Sequence, residues 1–438
     1  MRHAIDLLVE ARWIIPIEPA NTVLEHHAVA VNQGKILAIL PIAEAHERFS
    51  ARDHHRLETH ALLPGFINLH THAAMSLMRG IADDLPLMDW LQNHIWPAEQ
   101  RFLTEEFVES ATLLASAEML KGGITCFNDM YFFADAAIAA AKKTGQRMMA
   151  GITVLEFPTN WAPDASTYLE KGLAIRDENR SDPRIGFCLA PHAPYTVSNA
   201  TFERIFTLSE QLQLPIHLHV HETADEINNS LREHGVRPLT RLERFGLLSP
   251  NLIGVHAVHL LPDEISQLAY FGCHIAHCPN SNLKLASGIA PLAALNNAGV
   301  NVGLGTDGAA SNNRLDLWSE MRTASLLAKG QSGDPTAISA HQALAMATLN
   351  GARALGLEET LGSLRFGKWA DMVAINFDHS ELMPVYDVVS HLAYVTGREH
   401  VSHVFVEGEL LVRDHQLTRI EESELRHIAG SWQNRLKH

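Results

Sequence analysis

The sequence has few of the features that mark secreted or membrane-spanning proteins. Only four of its 438 residues are cysteine, and no Cys-x-x-Cys pair occurs, so we expect reduced thiols in the core of a cytoplasmic protein. No apolar run approaches the roughly 20 residues that a membrane span requires, and the N-terminus lacks the pattern of a signal peptide. Secretion and membrane insertion are therefore not expected.

Clusters of basic residues are also lacking. Lys and Arg number 34 against 50 Asp and Glu, which gives a formal charge of −16, and no run of Lys or Arg occurs. Because nucleic acids and anionic membranes are bound by basic surfaces, neither is expected as a partner. Hydrophobic residues make up 46% of the chain, which is enough for a large core and excludes disorder as the main state. The one residue type in clear excess is histidine, with 27.

Short apolar runs recur through the middle of the chain, and each ends at a polar residue. They are Gly65–Leu69, Ile124–Phe127, Met148–Val154, Ile185–Ala190, Leu214–Val220, Leu252–Val255, Cys273–Ala276 and Asn301–Leu304. Such runs are typical of buried parallel strands, and the segments between them carry helix start and stop signals. Strands that alternate with helices over about 250 residues predict an α/β fold of the (β/α)₈ TIM-barrel type, with a doubly wound sheet as the competing architecture.

The two chain ends have a different pattern. Their β-like pieces are Ala28–Val31, Lys35–Ile39, Met372–Phe377 and a hairpin formed by Val404–Val406 and Glu409–Val412. Neither end is long enough to bury a core alone. We therefore predict one small β-sandwich domain built from residues 1–60 and 362–438, beside a barrel of residues 61–361.

Histidines follow the ends of several predicted strands. His70 and His72 close the first barrel strand, where residues two apart point to the same face and can present two imidazoles to one metal. The same spacing puts His217, His219 and His221 on one face of the fifth strand. Buried histidines are costly without partners, which favours a metal, although the spacing alone does not say which of the three would bind it.

Three more strand ends carry residues of the same kind. Asp307 follows the eighth strand between glycines, where by itself it could equally cap a turn or a helix. His192 follows the fourth strand, and His256 and His259 follow the sixth. In TIM barrels the chemistry lies at the C-terminal ends of the strands, and three histidines with one aspartate suit Zn²⁺, Fe²⁺ or Mn²⁺.

Together with their flanking residues, these motifs resemble the amidohydrolase superfamily. The branch that they resemble most contains the 5'-methylthioadenosine/S-adenosylhomocysteine deaminases and is grouped with the triazine hydrolases. The resemblance covers essentially the whole chain. Its matching segments are Pro64–His72, Trp90, Trp96–Glu99, Ala190–Tyr195, His219 with Glu222, His256, His277–Asn282, Gly305–Asp307 and Gly367–Asp371.

The resemblance implies a single divalent metal, with Zn²⁺ as the first choice and Fe²⁺ or Mn²⁺ as alternatives. The implied ligands are His70, His72, His219 and Asp307. Binuclear relatives bridge their metals with a carboxylated lysine at the end of the fourth strand. Since Ala190–Tyr195 contains no lysine, one metal is expected rather than two.

The resemblance also implies roles for the residues around the metal. Glu222 would shuttle protons, His256 would orient the attacking hydroxide, and Asp307 would accept a proton in addition to being a ligand. Contacts to the substrate would come from Glu99, His192 and Trp90, with Glu99 on the ribose hydroxyls. His217 and His221 are expected to be structural.

The implied enzyme is a hydrolase that deaminates adenosine-type nucleosides, giving the inosine analogue and ammonia. Some relatives bind the carboxylate of S-adenosylhomocysteine through arginines after the third strand, but Val154–Leu169 contains neither Arg nor Lys. That departure favours 5'-methylthioadenosine or adenosine. A free purine such as guanine or oxidised guanine, or an s-triazine, is the alternative substrate, and a metal-binding protein without turnover is the third hypothesis. A homo-oligomer, dimer or tetramer, is also expected.

Overall fold

The strands fall into two sheets of eight in the computed structural model, which describes residues 2–437. One sheet takes its strands from both chain ends, and the other takes them from the segment between. In chain order the strands are β1 (His3–Ile14), β2 (Leu24–Asn32), β3 (Lys35–Pro41), β4 (Phe49–Pro64), β5 (Phe66–Thr71), β6 (Ile124–Asp129), β7 (Arg147–Val154), β8 (Ile185–Pro191), β9 (Ile216–Val220), β10 (Leu252–His256), β11 (His274–His277), β12 (Asn301–Leu304), β13 (Met372–Asn376), β14 (Val401–Val406), β15 (Glu409–Arg413) and β16 (Gln416–Leu417).

Helices follow most of the strands from β5 to β12. The α-helices are α1 (Ile42–Arg48), α2 (Leu87–Trp90), α3 (Trp96–Phe102), α4 (Glu105–Lys121), α5 (Ala134–Thr144), α6 (Ala165–Asn179), α7 (Asn199–Leu212), α8 (Ala224–His234), α9 (Pro238–Arg244), α10 (Pro262–Tyr270), α11 (Pro279–Lys284), α12 (Leu292–Asn297), α13 (Ala309–Asn312), α14 (Leu317–Ser332), α15 (Ala340–Met346), α16 (Leu349–Ala354), α17 (Val388–Tyr394) and α18 (Glu422–Leu436). Short 3₁₀ turns lie at Ala73–Met78, Ser380–Leu382 and Arg398–His400, and a π-helical turn lies at Leu91–Ile95. Of the described helices, none is long and apolar enough to cross a membrane.

The strands β5 to β12 form the predicted barrel. They are parallel and lie side by side in chain order, and every residue of β5, β6 and β7 is buried, as expected for strands covered on both faces. The first and last strands meet at Asn68, whose side chain accepts a hydrogen bond from the Thr306 backbone N–H (2.9 Å) and donates one to the Thr306 hydroxyl (2.8 Å). Beyond it, the Asp307 N–H donates to the His70 carbonyl at 3.0 Å. The barrel prediction is confirmed.

The strands of the chain ends form one mixed sheet in the order β16-β15-β14-β13-β4-β1-β2-β3. The two ends join where β13 pairs antiparallel with β4, from Met372 opposite Pro64 to Asn376 opposite His60. The β14–β15 hairpin lies where the sequence predicts it, and β2 and β3, which contain the predicted pieces Ala28–Val31 and Lys35–Ile39, also pair as an antiparallel hairpin. The β domain built from both ends is therefore confirmed, whereas its division from the barrel at residues 60 and 361 stays a prediction.

The terminal sheet packs against the N-terminal ends of the barrel strands. Arg147, the first residue of β7, forms a buried ion pair with Asp371 (Nε–Oδ2 3.2 Å) and a second with Glu407 (Nη2–Oε1 2.9 Å). Arg184, just before β8, also pairs with Glu407. The C-terminal ends of the strands are thereby left clear for the candidate site. All four cysteines are buried and free, as the sequence suggested.

Candidate active site and metal centre

Four potential metal ligands converge at the C-terminal ends of β5, β9 and β12. The donor atoms of His70, His72 and His219 lie within 4.8 Å of one another, and so do those of His70, His256 and Asp307. Asp307 Oδ1 is 3.3 Å from Nε2 of both His70 and His72. The ligand set implied by the sequence is thus brought together in space.

The hydrogen bonds of two histidines leave their inner nitrogens free to bind a cation. His72 Nδ1 donates to the Met130 carbonyl and His219 Nδ1 donates to the His192 carbonyl, both at 2.7 Å. Because a carbonyl oxygen can only accept, each Nδ1 carries the proton and each Nε2 keeps a lone pair. This is the tautomer and outer hydrogen bond typical of histidines that bind metals.

His70 lies deepest in the cluster. Its Nδ1 is 2.9 Å from Nε2 of His217, while its own Nε2 is buried and has no hydrogen-bond partner. Buried polar atoms are rarely left unpaired, so this nitrogen is accounted for if it binds a cation. The donor set and the unpaired nitrogen both fit a divalent metal such as Zn²⁺.

Asp307 is held rigidly in the cluster. Its Oδ2 accepts from the hydroxyls of Ser281 (2.6 Å) and Ser311 (2.9 Å), and its Oδ1 accepts from the Gly308 N–H (2.7 Å). Burial acts to raise the pKa of Asp307, but the surrounding imidazoles, first among them His70 with its Nε2 at 3.3 Å from Oδ1, hold it well below its usual value. Asp307 is therefore a carboxylate, as a metal ligand must be.

Glu222 and His256 lie beside this cluster. His256 Nε2 is 3.9 Å from Glu222 Oε2, and both side chains are almost fully buried. Asn282 accepts from His256 Nδ1 at 2.8 Å when its carbonyl oxygen faces the ring, which leaves Nε2 directed toward Glu222. Burial raises the pKa of Glu222, with His256 acting in the opposite direction. A carboxyl group with a raised pKa is suited to giving and taking protons near neutral pH.

A cavity of about 450 Å³ opens above these residues. Its wall carries the three candidate substrate contacts, Glu99, His192 and Trp90. Glu99 accepts a hydrogen bond from the Tyr131 hydroxyl at 2.6 Å. Burial raises the pKa of Glu99 to about 7, with the Tyr131 hydrogen bond lowering it in part. The volume is within the range of small-molecule sites.

Residues 61–411 match the Amidohydrolase family. This chain belongs to the amidohydrolase family. A 5-methylthioadenosine/S-adenosylhomocysteine deaminase of Saccharophagus degradans is 45% identical over 432 residues, 99% of this chain and 97% of that protein. The structure of an adenosine deaminase from Xanthomonas campestris with bound Zn is 47% identical, with a TM-score of 0.98 over 100% of both chains.

A second solved structure bears on the fold alone. The atrazine chlorohydrolase of Arthrobacter aurescens, solved in complex with zinc, is 24% identical, with a TM-score of 0.89 over 97% of this chain and 99% of that one. The resemblance to amidohydrolases, on which the sequence analysis relied, is confirmed.

The prediction that His217, His219 and His221 share one face of the fifth strand is wrong for His221. His217 and His219 both contact His70, but β9 ends at Val220 and His221 has a left-handed φ of 56°. Since the strand alternation ends there, His221 is directed elsewhere. Its Nε2 accepts from the Leu239 N–H at 3.1 Å, a structural contact.

Two residues that support this amidohydrolase site were not singled out from the sequence. Glu226 accepts hydrogen bonds from the backbone N–H groups of His221 (2.9 Å) and Glu222 (2.8 Å), which fixes the loop after β9. The capping-box pattern Thr223-x-x-Glu226 could have indicated it. Tyr131, the partner of Glu99, lies just beyond β6, and no sequence signal marks it.

Replacement of His219 by Ala is expected to lower the metal content of the active site from one ion per chain to well below one, because the remaining ligands are too few for tight binding. The measurement is elemental analysis after dialysis against a weak chelator. His427→Gln, which removes an exposed imidazole from α18, is the control and should keep the metal. An unchanged metal content in His219→Ala would contradict the assignment.

Proposed function

We propose that this protein is a metal-dependent deaminase of adenosine-type nucleosides, with 5'-methylthioadenosine and adenosine as the preferred substrates. The observation that carries the proposal is the position of Glu222 and His256 beside four potential metal ligands, at the base of a cavity whose wall holds Glu99. The names of the relatives from Saccharophagus degradans and Xanthomonas campestris support the same reaction.

The ion would be held by four ligands at the C-terminal ends of β5, β9 and β12. These are His70, His72, His219 and Asp307. Zn²⁺ is the first candidate because the Xanthomonas campestris structure contains it, and Fe²⁺ and Mn²⁺ are the alternatives. A divalent metal bound here lowers the pKa of a water molecule from about 15.7 to about 7, so that a nucleophile is available at neutral pH.

Deamination adds the oxygen of water to C6 of the purine and releases the C6 amino group as ammonia. Glu222 takes the first proton of the water and, as the C6–O bond forms and negative charge develops on ring nitrogen N1, gives that proton to N1. Glu222 suits this role because it lies at the cluster without being one of the four ligands and has a raised pKa. Acid catalysis of this kind contributes about 10²–10⁴-fold to the rate.

The two remaining catalytic roles belong to His256 and Asp307. The inner nitrogen of His256 lies beside Glu222, where it can orient the water and stabilise the oxygen that adds to C6. Asp307 is buried and ionised, so that it can take a proton from the water and pass it to the departing ammonia. The inosine analogue keeps the C6 oxygen.

Substrate would be held by residues of the cavity wall. Glu99 would accept hydrogen bonds from the 2'- and 3'-hydroxyls of the ribose, and Tyr131 keeps the Glu99 carboxylate in place. Trp90 and His192, which line the same cavity, would contact the nucleoside. Charge-assisted hydrogen bonds to a carboxylate are among the stronger ones available for recognition.

The 5' substituent would lie among apolar groups. The loop after β7 contributes Leu155, Phe157 and Pro158 to the cavity, and in the described part of the chain neither Lys nor Arg is among the residues that line it. A thioether is compatible with these surroundings, whereas the charged amino acid part of S-adenosylhomocysteine would lack a cationic partner there. This favours 5'-methylthioadenosine and adenosine as substrates.

The test is ammonia release by the purified metal-loaded protein across a panel of nucleosides, free purines and s-triazines. We expect 5'-methylthioadenosine and adenosine to have the highest kcat/KM, with S-adenosylhomocysteine at least about tenfold lower for want of a partner for its charged groups. A higher kcat/KM for guanine, oxidised guanine or a triazine would replace the nucleoside assignment. A cytoplasmic location and a homo-oligomeric state are further parts of the proposal.

A further inference from the structure

A second cluster of metal-ligating side chains lies in the terminal sheet, away from the active-site ligands. It consists of Glu10 on β1, His46 on α1 and His54 on β4. His46 Nε2 is 2.5 Å from Glu10 Oε1, and His54 Nε2 contacts the same oxygen. The three donor atoms lie within 4.8 Å of one another.

The local fold explains why these residues meet. In the parallel pair β1–β4, His54 lies opposite Leu8, and Glu10 shares the face of Leu8 because alternate residues of a strand do so. Helix α1 packs on this face through Ala45, which belongs to the same apolar cluster as Leu8. His46, the next residue, is thereby carried to Glu10.

The charge of Glu10 is poorly compensated by the protein itself. Its side chain is only 8% exposed, and the ion-pair partners of its carboxylate within the described chain are His46 and His54, with no Lys or Arg. The carboxylate therefore faces two imidazole rings and no permanently charged partner. A buried negative charge of this kind is stabilised by a bound cation.

We propose that Glu10, His46 and His54 form a second binding site for a borderline divalent cation, with Zn²⁺ as the best match, which ties α1 to the terminal sheet. Two imidazole nitrogens and one carboxylate oxygen are a ligand set that Zn²⁺ accepts, and water completes a tetrahedral site.

The geometry allows an ion to enter. With ligand bonds of about 2.1 Å, the donor atoms of a tetrahedral site are about 3.4 Å apart, so the present contacts must open by about 1 Å. His46 is 41% exposed and His54 is 29% exposed, and α1 is a short helix on one face of the sheet. A small shift of α1 therefore makes room, and the exposed edges of the rings provide an entry path.

The test is a titration of Zn²⁺ into the holoenzyme, whose active site is already filled. The unmodified protein should bind one further ion per chain, and its Tm should rise with added Zn²⁺. The double variant His46→Gln/His54→Gln should lose the further ion, or bind it at least about tenfold more weakly, and should lose the rise in Tm. The kcat should be unchanged, because the site is remote from the active-site cavity.

Two further variants complete the test. His27→Gln is the matched control, because His27 lies on the adjacent strand β2 with its side chain on the opposite face from Ala28, which belongs to the Leu8 cluster. It should bind the further ion as the unmodified protein does. His46→Gln alone changes only a partly exposed helix residue and replaces the double variant if that fails to fold. Failure of the unmodified protein to take up a further ion, or equal uptake by the variants, would overturn the proposal. Since binding is measured and not turnover, this result is independent of the proposed deaminase activity.

Discussion

The variant Glu222→Gln is expected to lower kcat by at least about 10²-fold while KM stays near that of the unmodified enzyme. Glutamine has nearly the same size and keeps the contact to Ser287, but it has no proton to give to N1 of the purine. The four candidate metal ligands are untouched, so the metal content should stay normal. The measurement is steady-state kinetics on adenosine, with elemental analysis of the same preparation.

A matched control separates this effect from a general effect of removing a carboxylate. Glu203→Gln makes the same change on the exposed face of α7 and should leave kcat unchanged. If Glu222→Gln retains full activity, the proton shuttle is another group, and His256 is the first candidate because its Nε2 lies 3.9 Å from Glu222 Oε2.

The variant Glu99→Ala is expected to lower kcat/KM on a nucleoside by about 10²-fold or more. Its carboxylate would accept two charge-assisted hydrogen bonds from the ribose, each worth about 1.5–3 kcal/mol. Binding energy from a part of the substrate remote from C6 can be expressed in KM or in the transition state. The measurement is kcat/KM for adenosine in the unmodified protein and in Glu99→Ala. The variant Tyr131→Phe removes only the hydrogen bond from Tyr131 to Glu99, so its kcat/KM should fall by less.

The ribose assignment can be tested from the substrate side as well. A substrate without both hydroxyls, 2',3'-dideoxyadenosine, should already be a slow substrate of the unmodified enzyme, and Glu99→Ala should barely change its turnover. If the unmodified enzyme has the same kcat/KM for dideoxyadenosine as for adenosine, Glu99 does not bind the ribose hydroxyls. A free base or a triazine would then become the leading substrate class.

The pH dependence of nucleoside binding follows from the same residue. Burial raises the pKa of Glu99 to about 7, so below that pH Glu99 is protonated in the free enzyme. A neutral carboxyl group cannot form the two charge-assisted hydrogen bonds with the ribose hydroxyls. We expect KM for adenosine to fall as the pH rises from about 6 to about 8. In Glu99→Gln, which does not titrate, this part of the pH dependence should disappear. A KM profile that is the same in both proteins would contradict it.

Much of the fold could be predicted because the apolar pattern of each short segment agrees with its position as a buried strand in the barrel. Each of the eight apolar runs became a strand, with ends within a few residues of the predicted ones, since a strand buried on both faces must be apolar along its length. The convergence of His70 and His72 could be predicted for a similar reason, because a two-residue spacing within one strand needs no knowledge of the rest of the chain.

In the fifth strand, the alternation of residues along the chain was not enough to predict which histidines reach the metal site. Periodicity placed His217, His219 and His221 on one face, but the height of each residue in the barrel is set by pairing with the neighbouring strands, where His219 lies opposite Val255. That register puts His219 with the ligands and His217 behind His70. The strand ends before His221, which has a backbone conformation that the alternation does not foresee.

The sequence by itself determined the barrel, the composite β domain and the residue types available for a metal site at one end of the strands. Only the tertiary structure decided which nitrogens are free, since the tautomers of His72 and His219 depend on carbonyl groups of Met130 and His192 that are distant in sequence. It also decided that Tyr131 supports Glu99. The physical reason is that strand and helix patterns arise from neighbours along the chain, whereas hydrogen-bond partners and buried charges depend on groups that meet only when the strands take their register.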